Sequence, residues 1–127
     1  MARYLSVFFK NRISDNDFYK FIKFVGGEKQ LVGDSEQGHL KKGESSIWFY
    51  YRGNEFNLDE DEQSKLNNIF GNANTEIFME FSSDDESVSL GEYVCKKVVE
   101  QFGEIILFND SGDFYVADDI KKALHIE

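Results

Sequence analysis

The stretch Tyr4–Phe9 is apolar on both alternations of an extended chain, with Leu5, Val7 and Phe9 on one side and Tyr4 and Phe8 on the other. A strand with one solvated face alternates apolar and polar residues, so a strand apolar on both sides has to be covered on both. This run predicts a central strand in a layered fold. Thirteen Phe supply much of the remaining core, and side chains of that size let a modest domain bury enough area to fold. Proline is absent, so there is no Pro-rich linker and no visible domain boundary. Residues 1–127 read as a single α+β domain, with turns made by Gly, Asn, Asp and Ser.

Helical spacing appears where the strand pattern stops. Ser14 is a predicted N-cap, Asp15 and Asp17 occupy a first turn, and Ile13 is placed to staple to Phe18. Phe18, Phe21, Ile22 and Val25 follow at i, i+3, i+4 and i+7, and Gly26-Gly27 ends the helix. Lys29 to Lys42 is polar and contains glycine, which reads as a loop or an irregular edge strand. Ser46–Arg52 reads as a strand. Asp59 to Phe70 reads as a helix, with Asp59 as N-cap, Glu62 three residues on, Leu66, Ile69 and Phe70 inward, and Gly71 at its close.

Thr75–Phe81 alternates, with Ile77, Met79 and Phe81 inward and Glu76 and Glu80 outward; Phe78 breaks the polar face. Ser82–Ser87 reads as a loop. The next helix is predicted to start at a capping box of Ser89 and Glu92, with Val88 stapling to Tyr93 and Leu90, Val94, Val98 and Phe102 along its buried face. Glu104–Phe108 is a strand, Asn109–Asp113 a tight turn, Phe114–Val116 a return strand and Asp118–Leu124 a last helix. The expected architecture is a mixed or mostly antiparallel sheet with helices packed on it.

Charge is distributed unevenly. Residues 1–52 carry a balance of +3 and residues 53–127 one of −13, which together make the net −10. A one-sided field steers partners of opposite sign, so the expected partner is a basic protein. Direct binding to nucleic acid is disfavoured, because the chain repels a polyanion. The apolar run near the N-terminus is too short for a signal peptide or a membrane span, and the single cysteine, Cys95, forms no intrachain disulfide. Cytoplasmic location and no membrane partner are the expectations.

The candidate partner-binding residues are Asp59, Glu60, Asp61, Glu62, Asp84, Asp85 and Glu86, with Trp48 and Tyr50 as aromatic anchors. Carboxylates at a helix N-terminus stabilise it, but four in succession exceed what capping needs. On the strand Trp48-Phe49-Tyr50-Tyr51, one alternation is core and the other is either covered or exposed. Asn109–Asp113 has a fragment of calcium-loop spacing, but the twelfth position counted from Asp110 is Lys121, where a ligating Glu is required. His39 and His125 stand alone, Cys95 reads as a buried small hydrophobe, and no nucleophile elbow, phosphate loop or zinc motif is present. No catalytic residue, cofactor or metal is predicted.

The layout from Ser87 to Val116 is capped helix, Phe102-Gly103, apolar strand, Asn109-Asp-Ser-Gly-Asp113, then an aromatic residue. With the size and acidity of the chain, it resembles bacterial immunity proteins that neutralise polymorphic or contact-dependent toxins. That resemblance implies a non-enzymatic cytoplasmic protein that binds one cognate basic toxin domain, often a nuclease. The alternatives are a nucleic-acid mimic that occupies a DNA-binding protein, and a small enzyme or ligand-binding domain with a concave polar pocket.

Overall fold

The computed structural model describes residues 3–32, 35–56 and 58–126. Seven strands form one antiparallel sheet: β1 (Arg3–Phe9), β2 (Glu28–Val32), β3 (Ser35–Lys42), β4 (Ser45–Gly53), β5 (Thr75–Phe81), β6 (Ile105–Asn109) and β7 (Phe114–Val116). Their order is β2-β3-β4-β5-β1-β6-β7. The doubly apolar β1 is interior, paired with β5 on one side and β6 on the other, with Val7 opposite both Ile77 and Leu107.

Four helices complete the fold: α1 (Asp15–Phe24), α2 (Glu60–Phe70), α3 (Glu86–Phe102) and α4 (Ile120–Ala123). Helices α1, α3 and α4 share one core with the odd-numbered residues of β1, β4, β5 and β6, among them Leu5, Phe49, Met79 and Leu107. Helix α1 begins as read, with Ser14 Oγ accepting from the Asp17 N–H at 3.1 Å and Phe18, Phe21 and Ile22 buried. Helix α3 comes so close to β5 that a Cβ on Gly91 would stand 2.5 Å from the Phe81 ring.

The opposite face of the sheet is covered only in part. Helix α2 packs Leu66 and Phe70 on Phe8 of β1 and Ile106 of β6. Leu5, Val7 and Phe9 on one side of β1 and Phe8 on the other are thus buried by different helices, while Tyr4, also on the second side, stays 38% exposed.

Several expectations are corrected. Of the two readings of Lys29–Lys42, the edge strand holds and the loop does not: its described part belongs to β2 and β3, antiparallel at the sheet edge, with residues 33 and 34 outside the described chain. Helix α3 starts at Glu86, three residues before the expected cap at Ser89. The buried Ser87 hydroxyl donates to the carbonyls of Ser82 and Asp84 and closes the preceding turn, so the helix begins there. Ile69, expected inward, is 52% exposed, because the buried stripe of α2 is the i, i+4 pair Leu66 and Phe70 and Ile69 falls beside it. Glu76 is buried on the face where exposure was expected.

Candidate interaction surface

Beyond the edge of α2, the second face of the sheet is open. Tyr4, Trp48, Tyr50 and Phe78 lie on it and belong to neither core. The strand register lines them up. One rung runs His39, Trp48, Glu80, Tyr4, and the next runs Tyr50, Phe78, Ser6. Cross-strand and diagonal neighbours of this kind are within reach of one another. Tyr4 stacks on Phe78 at 5.5 Å between ring centroids, Tyr50 tilts against the other side of Phe78 at 6.0 Å, and His39 stacks on Trp48 at 5.1 Å. The Arg52 guanidinium lies 4.4 Å over the Phe78 ring and bonds to Glu76 Oε2 at 3.1 Å. Phe78 is therefore covered by a cation and two rings rather than by a helix.

Hydrogen bonds fix the upper rung. Gln30 Nε2 meets His39 Nδ1 at 3.4 Å and His39 Nε2 meets Ser46 Oγ at 3.1 Å, contacts that a neutral imidazole satisfies with one ring nitrogen accepting and the other donating. Burial, with Lys41 nearby, lowers the His39 pKa and favours this neutral form. A serine is activated by an imidazole whose other nitrogen is held by an acceptor such as a carboxylate, and here Nδ1 faces the Gln30 amide nitrogen. A second grouping fails differently. Ser111 Oγ and Asp110 Oδ1 both meet the same nitrogen of His125, Nε2, at 3.1 and 3.2 Å, whereas a triad needs the carboxylate on the other nitrogen. Among the described residues, no group of three or more His, Cys, Asp or Glu could hold a metal ion.

A groove of ≈ 360 Å³ borders the aromatic rungs, with Tyr4, Arg52 and Phe78 on one side and Glu62, Phe108 and Asp110 among the rest of its lining. Of the residues singled out in the sequence, Trp48, Tyr50 and Glu62 come to this side of the molecule. Asp59 and Glu62 form the capping box of α2, each side chain accepting from the other's backbone N–H, at 2.8 and 3.1 Å. Glu60 and Asp61 are exposed in the first turn of that helix.

The second acidic cluster has structural duties. Asp84 accepts from the hydroxyls of Ser45 and Ser82, which hold its carboxyl below the usual range. Asp85 pairs with Arg3 at 3.0 Å. Glu86 is exposed but lines a different groove, beside Lys41, Lys42 and Tyr93. The sequence reading missed Tyr4, Arg52 and Glu80 as members of the open face. The break in polarity at Phe78 was the one local signal, because the rest depends on which strands become neighbours.

Comparison with known proteins finds no match: no family model, no curated protein and no solved structure. No helix among the described residues is long and apolar enough to cross a membrane.

Proposed function

We propose that this chain is a non-enzymatic binding protein that captures and neutralises a basic protein, in the manner of an immunity protein holding a cognate toxin domain in the cytoplasm. One observation carries the reading: a preformed aromatic face, with Tyr4 38% exposed and Trp48, Tyr50 and Phe78 half-buried, belongs to neither core and lies beside a groove with Glu62 and Asp110 in its lining. Aromatic side chains that already hold one another in place lose little freedom on binding and make strong anchors. Carboxylates around them speed encounter with a cationic surface, while the anchors set the rate of release. Glu60 and Asp61 do the steering in this scheme; Asp59, Asp84 and Asp85 chiefly hold the fold.

The test is capture of the partner from the lysate of the source organism by tagged protein, in parallel with Trp48→Ala and with the charge-reversed pair Glu60→Lys and Asp61→Lys. The expected result is one dominant basic protein, lost with Trp48→Ala. The charge-reversed protein keeps it but associates about tenfold more slowly at low salt. Many DNA-binding proteins that wash off together as salt rises would instead indicate a nucleic-acid mimic. Equal capture by Trp48→Ala would remove the open face from the mechanism.

A further inference from the structure

We propose that the β6–β7 end of the sheet is a second docking site, one that takes an amphipathic segment of a protein partner with Lys or Arg beside its apolar stripe. The groove there, of ≈ 720 Å³, shares no lining residue with the one beside the aromatic face. It exists because β7 is short. Strand β7 meets β6 from Phe108 back to Ile106, opposite Val116, and the chain then leaves the sheet through a 3-10 turn at Ala117–Asp119. Ile105, the first residue of β6, is left without a β7 partner, and it lines the groove together with the last turn of α2 and the outer side of α3.

The groove displays apolar side chains that the fold does not bury: Ile69 is 52% exposed, Val116 53% and Val99 37%. They come from three separate elements and converge on one depression, which scattered surface hydrophobics do not do. An apolar residue seated among them would remove their area from water.

The rim selects the occupant. Glu92, Glu100, Glu104 and Asp118 line it against the single cation Lys96. Glu92 has Lys121 at 3.5 Å and Glu100 has Lys97 at 3.4 Å, exposed pairs that hold weakly and can exchange for a partner's cations. Glu104 and Asp118 make no ion pair with any described residue. A second copy of this chain would bring a like-charged rim against this one, and like charges facing each other oppose association. A cationic amphipathic segment satisfies both the apolar floor and the acidic rim, by the helix-in-groove or edge-strand modes that bind such segments.

The experiment titrates the isotope-labelled full chain with three synthetic peptides of about 14 residues, long enough for an apolar stripe of several helical turns. One is a Leu/Lys amphipath, one has the same composition with the stripe scrambled, and one is a Leu/Glu amphipath. The Leu/Lys peptide is expected to bind and to shift the amides of Ile69, Val99, Glu104 and Val116. Val99→Gln and Glu104→Lys should each weaken it about fivefold, and Trp48→Ala should leave it unchanged. Equal binding of the scrambled peptide would overturn the site by showing charge alone at work. So would no binding at millimolar peptide, or a dimer in sedimentation that Val99→Gln dissolves. Shifts centred on Trp48 and Tyr50 would overturn it too, while leaving the open-face reading standing.

Discussion

Phe49 and Tyr50 are neighbours in the chain and stand on opposite faces of the sheet. Phe49 is 1% exposed, in edge contact with Phe18 of α1, while Tyr50 is half-buried and leans on Phe78 of the next strand. The closed face is held by area removed from water between sheet and helices. The open face is held by side chains of the sheet touching one another: ring on ring, Arg52 on Phe78 and Glu76, His39 between Gln30 and Ser46. The first kind of surface is consumed by folding. The second is organised by folding yet still available, which is what a binding surface requires.

The widest separation between the faces should appear on truncation. Phe49→Ala is expected to cost about 3–5 kcal/mol, and Tyr50→Ala about 1 kcal/mol, because its ring is only half-buried and belongs to neither core. Urea midpoints of the two variants measure the contrast, and equal losses would dissolve it. Next is the polar tie beneath the open face. Glu76 is 1% exposed, and its Oε1 has no hydrogen-bond partner among the described residues. Arg52→Ala leaves that carboxylate buried without its counter-charge, and is expected to cost about 2 kcal/mol. Adding Glu76→Gln to it should recover part of the loss in the same assay.

The smallest effect concerns His39. Its folded pKa lies below the ordinary 6.5, so between those two values the unfolded chain binds more protons than the folded one. Stability then rises with pH, and the contribution of neutral His39 is lost as pH falls below about 6.5. The melting temperature of the wild type should decline faster than that of His39→Gln as pH is lowered from 7. Parallel curves would show that the imidazole does not contribute.

The closed face was largely legible in the sequence, since period and identity agree there. Phe18, Phe21 and Ile22 at helical spacing, and Ile77, Met79 and Phe81 at strand spacing, are all buried together. The Asp59–Glu62 capping box was legible for the same reason, being complete within four residues. The open face was not, because its meaning is set by pairings across long separations. Tyr4 meets Phe78 only because β1 pairs with β5, and Trp48 lies opposite Glu80 only because β4 pairs with β5 on its other side. Asp84 looked like one acid among several until folding brought Ser45 to it from a different strand. The β2–β3 pair was legible only as one of two readings, because a polar composition is tolerated by an edge strand and by a loop alike.

Trp48 is the only tryptophan in the chain, and it lies nearly parallel to the His39 ring, 13° off coplanar. Its ultraviolet emission therefore comes from the open face and from nowhere else in the molecule. The protein thus carries its own optical label at the surface where a partner would seat.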